Sequence, residues 1–189
     1  MLRNLILKNR SCRRFHEEAF ISHDLLKELV DLARLSASAA NLQPLKYILS
    51  CDKAKNSLIF PQLSWAAYLD TWPGPNETER PSAYIIILGD TAIADDFGCD
   101  HGIAAQNILL GASEKGLGGC MIGTVRRPQL RRALDILPRY KILLVLALGK
   151  PAESVTIETV GPDGSIEYWR DADGVHHVPK RDLDHIVLD

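Results

Sequence analysis

Apolar residues recur at helical spacing in two long stretches of this chain and two short ones. After Ser22, a residue typical of helix N-caps, leucine, valine and alanine positions repeat every three or four residues through about Leu35. The longest predicted helix covers roughly residues 94–115, and it is so apolar that we expect it to be covered on more than one side. Shorter helices are predicted after Asp52, as an N-cap, and from Pro128, as a first helical residue.

Three runs of mostly apolar residues, at 45–50, 83–88 and 142–148, predict buried strands. Near the C-terminus, the segments VTIETV and SIEYWR flank the turn sequence GPDG and predict a β-hairpin. Helices and strands are mixed without a strict βαβ order. The pattern therefore predicts an α+β fold, or a mixed sheet covered by helices, rather than a doubly wound parallel sheet.

Residues 61–81 interrupt this rhythm. They hold two of the three tryptophans and four prolines, and they show no clear period. One interpretation is that Trp65, Tyr68 and Trp72 line or cap a substrate pocket, with the segment acting as a lid. The alternative is that these aromatic residues pack a surface excursion onto the core, and the sequence leaves both open.

Length and composition indicate one ordinary globular domain. A chain of 189 residues is long enough to bury roughly 70% of its unfolded surface without disulfides or metals. Lysine and arginine number 22 against 24 aspartate and glutamate, so a net charge of -2 gives no reason to expect nucleic acid or an anionic membrane as a partner. No apolar run approaches the ~20 residues that span a bilayer, and the N-terminus lacks the pattern of a signal peptide. We therefore expect a cytoplasmic protein.

The cysteines and histidines do not predict a metal site. Cysteines at 12, 51, 99 and 120 form no CxxC pair, and free thiols in a reducing cytosol are expected. His176 and His177 are adjacent, and neighbouring residues of an extended chain point to opposite sides, so the two cannot easily share a metal. Cys120 has no identifiable partner base and is expected to be a small buried thiol.

Two segments carry groups that suit an anion. Arg10, Ser11 and Arg13 lie in a short basic run near the N-terminus, and arginine forks with a serine hydroxyl suit a phosphate. In an extended segment Ser11 and Arg13 project to the same side. Lys180 and Arg181 form a second cationic pair near the other end of the chain. The alternative for both segments is solvated surface charge.

Two further segments suit a flat ligand. The helix that ends near Leu35 is followed by small residues that include Ser38, and then by Asn41 and Gln43, whose amides match an imide or amide edge. The alternative is an ordinary helix C-cap. The sequence GLGGCMIG at 116–123 allows close backbone approach to a planar ring but does not match the dinucleotide fingerprint GxGxxG. Its alternative is a glycine-rich link after a helix.

Taken together and in this order, four segments resemble the FMN-dependent nitroreductase family. They are RSCRRF at 10–15, ASAANLQPLKYIL at 37–49, DHGIAAQNILLGASEKGLGGCMIG at 100–123 and HHVPKR at 176–181. The resemblance covers nearly the whole chain. It implies a three-layer α/β/α sandwich around a mostly antiparallel sheet. It also implies an intertwined homodimer with FMN at the subunit interface. We predict a single domain over 1–189, with a lid excursion at 61–81 and a C-terminal hairpin or arm at 152–189.

The resemblance assigns three groups of residues to FMN. One group contacts its phosphate, ribityl chain and pyrimidine edge, a second places backbone groups near flavin N5, and a third meets the flavin, often from the partner subunit. The first group is Arg10, Ser11 and Arg13, joined at the phosphate by Lys180 and Arg181. The second group is Ile122 and Gly123. The third group is Ser38, Asn41 and Gln43. Which of Lys180 and Arg181 reaches the phosphate is left open.

The implied activity is a ping-pong oxidoreduction. NADH or NADPH would give a hydride through flavin N5 to a nitroaromatic, a quinone or another small electron acceptor, and no side chain is predicted as a general acid or base. Three alternatives stay open. The first is other flavin chemistry, such as enone reduction, dehalogenation or heterocycle oxidation. The second is FMN binding without turnover, as a sensor or store, and the third is an interaction dimer without flavin.

Overall fold

The computed structural model describes residues 2–188 and is centred on an antiparallel sheet of five strands. These strands are β1 (Phe15–His16), β2 (Leu45–Ser50), β3 (Ala83–Asp90), β4 (Gly118–Ile122) and β5 (Tyr140–Pro151). β3 lies between β2 and β5, β4 pairs with the other edge of β5, and β1 pairs with the last two residues of β5. The predicted mostly antiparallel sheet is confirmed, with β5 longer than the run at 142–148 that predicted it.

Helices cover both faces of this sheet. They are α1 (Leu2–Lys8), α2 (His23–Arg34), α3 (Lys53–Ile59), α4 (Asp100–Glu114) and α5 (Arg127–Ala133). All residues of β3 are buried, and alternate residues of a strand point to opposite faces. Ile85 therefore packs in one apolar cluster with α2 and α4, whereas Ile86 packs in a second cluster with α3 and α5. This arrangement confirms the α+β, three-layer α/β/α sandwich.

The predicted caps begin the helices where expected, with one late start. The Ser22 hydroxyl accepts the Leu25 N–H at 3.1 Å, and the Asp52 carboxylate accepts the Lys55 N–H at 2.9 Å. α4 begins only at Asp100, later than the predicted residue 94. Asp90 and Asp96 accept backbone N–H groups two residues ahead, and such local turns compete with a helix.

The predicted hairpin between VTIETV and SIEYWR is wrong. The C-terminal segment forms a separate sheet from β6 (Val155–Thr159), β7 (Trp169–Arg170) and β8 (His176–Lys180). β8 pairs with β6 in parallel and with β7 antiparallel, so the hairpin turn is at residues 171–174 instead. Residues 161–167 are exposed, and pairing them with β6 would bury little apolar surface.

Within residues 2–188, no helix is long and apolar enough to cross a membrane. The cytoplasmic location stays a prediction, as does the division into one domain with a lid and an arm. In residues 61–81 the structure has two short 3₁₀ turns, Phe60–Gln62 and Glu77–Glu79, and a single bridge from Leu63 to Val125.

Candidate functional site

A cavity of about 230 Å³ lies at the C-terminal end of β4. We call it the β4 cavity. Its walls come from four separate parts of the chain: Arg13, residues 64–67, residues 120–124 and Tyr168. It therefore brings together Arg13, Ile122, Gly123 and Trp65, which were predicted as site residues from three different segments. Tyr168 was not predicted.

The run of residues before β1 lies along the free edge of β4. The Cys12 N–H donates to the Gly119 carbonyl at 2.9 Å, and Ser11 forms a parallel bridge with the same glycine. A Cβ on Gly119 would lie 2.8 Å from the Ala147 carbonyl oxygen, so a side chain there would push β4 away from β5. The pairing of residues 11 and 12 with Gly119 places Arg13 at the β4 cavity, while Ser11 remains exposed.

The Arg13 guanidinium is held by two side chains from the C-terminal segment. Its carbon Cζ lies 4.8 Å from the centre of the Tyr168 ring, and Nη1 lies 3.1 Å from His176 Nε2. Because arginine only donates, Nε2 must accept, and the proton of a neutral His176 is then on Nδ1. Burial, aided by the positive charge of Arg13, lowers the pKa of His176 to about 4. His176 is therefore neutral at neutral pH.

Glu153 fixes the backbone on the other side of Arg13. Its Oε1 accepts the N–H of Arg13 at 2.5 Å and that of Arg14 at 3.0 Å, and its Oε2 pairs with Arg170 at 2.7 Å. The Glu153 side chain is only 1% exposed. A buried carboxylate needs such partners, and here they tie residues 13 and 14 to the C-terminal segment.

Residues 61–81 pack against the same C-terminal segment. Tyr68 meets Tyr168 edge to face, with ring centres 5.0 Å apart, and the Arg170 guanidinium lies 4.9 Å from the Trp72 ring. Arg14 forms an ion pair with Glu79. Trp65 lines the β4 cavity, whereas Tyr68 and Trp72 are not among its walls. A lid function for this segment stays a prediction.

Ser38, Asn41 and Gln43 are not among the walls of the β4 cavity. Ser38 donates its hydroxyl proton to the buried Asp100 at 2.5 Å and accepts the Gln43 N–H at 3.0 Å. Ser38 and Gln43 line a cavity of about 150 Å³ with Asp100, separate from the β4 cavity. Ala40, Asn41 and Gln43 have positive φ angles of 49°, 55° and 50°, and such strain in residues with a Cβ is often found at functional sites.

Neither Arg10 nor Lys180 is among the walls of the β4 cavity. Arg10 donates to the carbonyls of Ile6 and Asn9 at 2.8 and 2.7 Å, and it lines a third cavity of about 410 Å³ together with Lys8. Lys180 and Arg181 are exposed. Neither Arg10 nor Lys180 therefore joins Arg13 at the β4 cavity within a single chain, and the predicted convergence of both chain ends on one phosphate stays a prediction.

The thiols near the site are not activated. Burial raises the pKa of Cys12 to about 12, and it also raises the pKa of Cys120, which lines the β4 cavity. A nucleophilic cysteine needs a lowered pKa and some exposure. Cys120 therefore acts as a small apolar wall residue, as the sequence predicted.

Sequence reasoning missed Glu153, Tyr168 and His176. The adjacent histidines gave a partial signal, because alternation along an extended chain predicts one inward and one outward side chain. His176 is in fact fully buried, and His177 lies on the other side of β8 against Trp169. Glu153 and Tyr168 stand in segments with no pattern that distinguishes them.

Comparisons with known proteins agree with this architecture. The family model described as "Nitroreductase family" matches residues 6–78 and 79–150. A curated relative named "Putative NAD(P)H nitroreductase YodC", from Bacillus subtilis (strain 168), is 23% identical over 205 residues, which cover 87% of this chain and 96% of that protein.

Solved structures show the same fold. A nitroreductase family protein from Streptococcus pneumoniae TIGR4 aligns with a TM-score of 0.71 at 16% identity, over 100% of both chains. A "putative nitroreductase in complex with FMN" from Exiguobacterium sibiricum 255-15 aligns with a TM-score of 0.67 at 18% identity, over 80% of this chain and 89% of that one. Because the family model covers most of its length, this chain belongs to the nitroreductase family.

Proposed function

We propose that this chain is an FMN-dependent oxidoreductase that transfers a hydride from NADH or NADPH to a small acceptor such as a nitroaromatic or a quinone. One observation supports this above the others. The β4 cavity holds an arginine cation, Arg13, beside the exposed backbone of Gly123, which is the pair that the family resemblance assigned to the flavin ring.

The residues at this cavity fit the ring of a flavin. A Cβ built on Gly123 would have no atom within 4 Å, so its backbone is open to a ligand. Trp65 and Tyr168 offer aromatic walls, and Arg13 offers donors for the polar edge of a ring. Bound FMN would supply the hydride-accepting and hydride-donating atom, N5.

The protein's own share of the reaction is electrostatic and steric. With FMN bound, the positive charge of Arg13 would stabilise negative charge on the reduced ring, in a partly water-excluded cavity where such charges act strongly. The nucleotide donor leaves before the acceptor enters the same cavity, which gives ping-pong kinetics. Ile122 is buried and lines the same cavity beside Gly123.

We propose a homodimer as the working form. α1 exposes Leu2, Ile6 and Leu7, and α4 exposes Ile103 beside a broad open cavity. Exposed apolar residues of this kind are typical of interaction surfaces. In a dimer, Ser38, Asn41 and Gln43 would come from the partner subunit, and Arg10, Lys180 and Arg181 would complete the phosphate site. This assignment is consistent with the fact that none of them is among the walls of the β4 cavity within one chain.

Reconstitution with FMN tests the proposal. The purified protein should be yellow, or become yellow with added FMN, and it should bleach anaerobically on addition of NADH or NADPH. Removing a charged hydrogen-bond donor, in Arg13→Ala, should weaken FMN binding roughly 10–100-fold. Arg132→Ala, at an exposed position on α5, is the matched control.

The outcomes separate the candidate functions. A yellow protein that neither nucleotide bleaches would be an FMN-binding protein or would use another electron donor. A colourless protein that takes up no added FMN would contradict every flavin hypothesis. Once bleaching is established, a panel of nitroaromatic, quinone and enone acceptors would identify the oxidant.

A further inference from the structure

The side chains that hold Arg13 lie outside the part of the chain that the family model matches. That match ends at residue 150, whereas Glu153, Tyr168 and His176 follow it. His176 and Arg13 are 163 positions apart and meet at 3.1 Å. The C-terminal segment therefore supplies Tyr168 to the wall of the β4 cavity and two polar partners, Glu153 and His176, to Arg13.

We propose that His176 is a positioning residue that holds the Arg13 guanidinium in the β4 cavity while leaving its positive charge uncancelled. This inference depends on the proposed function, because it assigns Arg13 to the flavin. It concerns His176 and Tyr168 rather than Lys180 and Arg181, the basic pair that the resemblance placed at the cofactor.

The chemistry of the two partners carries the argument. A carboxylate at the position of His176 would bind the guanidinium more strongly but would neutralise it. A neutral imidazole accepts one N–H and leaves the charge in place, and the face of the Tyr168 ring attracts a cation through its quadrupole. The nearby carboxylate of Glu153 bonds to the Arg13 backbone, and its charge is paired with Arg170. Both side-chain partners of Arg13 are thus uncharged.

A second observation points the same way. His176 is 0% exposed, and among the described residues its Nδ1 has no hydrogen-bond partner. A buried N–H without an acceptor is costly, and such groups in native structures call for an explanation. The tautomer that Arg13 requires puts the proton on this unpartnered atom. The molecule therefore tolerates one unsatisfied donor and keeps the Arg13 contact.

Four variants test the role of His176 in FMN binding, measured by flavin fluorescence. His176→Ala should weaken binding roughly tenfold, since it removes an acceptor from a charged donor. His176→Gln keeps a neutral acceptor and should restore most of the affinity. His177→Ala, at the outward neighbour, should leave it unchanged.

The fourth variant, His176→Glu, separates positioning from charge. It should still hold Arg13 but should cancel its charge, so that the preference for reduced over oxidised FMN falls roughly tenfold. For a two-electron couple this is a midpoint potential about 30 mV more negative than that of His176→Gln. A His176→Ala protein with native circular dichroism and wild-type FMN affinity would overturn the inference, as would a Gln variant no better than Ala.

A cofactor-free measurement distinguishes this failure from failure of the proposed function. In ¹⁵N NMR of the protein without FMN, the His176 imidazole should carry its proton on Nδ1, and Arg13→Ala should shift the Nε2 resonance. That result in a protein that binds no FMN would contradict the proposed function but not the contact. A proton on Nε2 would overturn the inference in either case.

Discussion

The part of the chain that matches the family and the C-terminal segment are held together by different forces. In the matched part, residues 6–150, two apolar clusters fill both faces of the central sheet, and every residue of β3 is buried. In residues 151–188, by contrast, His176 is the one residue that is buried as a whole, although the side chain of Glu153 is buried too. That segment depends on Glu153, on stacked rings and on ion pairs. Because the β4 cavity uses both parts, its shape rests on apolar burial on one side and on a few charges on the other.

The largest effect should come from the apolar part. Ile86 on β3 is 0% exposed, and Ile86→Ala should lower the free energy of unfolding by about 4 kcal/mol. The matched change on β6, Ile157→Ala, removes a half-buried side chain and should cost only about 1 kcal/mol. Urea denaturation of both variants measures the difference. Equal losses of unfolding free energy would mean that apolar burial stabilises the C-terminal sheet as much as the central one.

Glu153→Ala should have the next largest effect, and it acts on the C-terminal segment rather than on the apolar part. It leaves Arg170 and the N–H groups of Arg13 and Arg14 without their acceptor, which should cost about 3 kcal/mol. Hydrogen exchange should show lost protection in β8 and retained protection in β3. Glu153→Gln keeps an acceptor of the same shape without the charge and should be intermediate. Uniform loss of protection across both sheets would show that the two regions are not separable.

The sequence predicted the apolar part well because local periodicity and capping decide it. Ser22, Asp52 and the runs that became β2, β3 and β5 each act over a few residues. The family resemblance also named Arg13 and Gly123, which the fold brings to one cavity; their contact with FMN stays a prediction. The C-terminal segment could not, because its pairings are non-local. β8 pairs in parallel with β6 although β7 lies between them in sequence, and Arg13 contacts His176 from near the opposite end of the chain.

A pH-dependent loss of stability is the third prediction. His176 titrates at about 4 in the folded protein against 6.5 unperturbed, so the unfolded chain binds a proton first as the pH falls. Its contribution to stability is complete above about pH 6.5 and is lost as the pH falls towards 4, by about 2 kcal/mol at pH 5. Arg13 and Arg170 face the imidazole and oppose its protonation, whereas Glu153 favours it. Urea denaturation at pH 7.5 and pH 5 should show this loss in the wild type, and His176→Gln should lack it.

The smallest effect should come from the neighbouring histidine, and its pH dependence should have the opposite sign. His177 lies 2.8 Å from Glu158 and 3.0 Å from Asp171, stacks on Trp169, and has a pKa raised first by its hydrogen bond to Asp171 and then by Glu158. As an imidazolium it donates to both carboxylates, so its contribution is present below its unfolded pKa and is lost as the pH rises through the folded one. Hydrogen exchange in β7 and β8, corrected for the intrinsic rate and measured in a His176→Gln background that lacks the opposing effect of His176, should therefore show weaker protection at about pH 8 than at about pH 6. His177→Ala should abolish that difference while leaving β3 unchanged. If the variant kept the difference, the ion pairs of His177 with Glu158 and Asp171 would not be the source of the pH dependence in the C-terminal sheet.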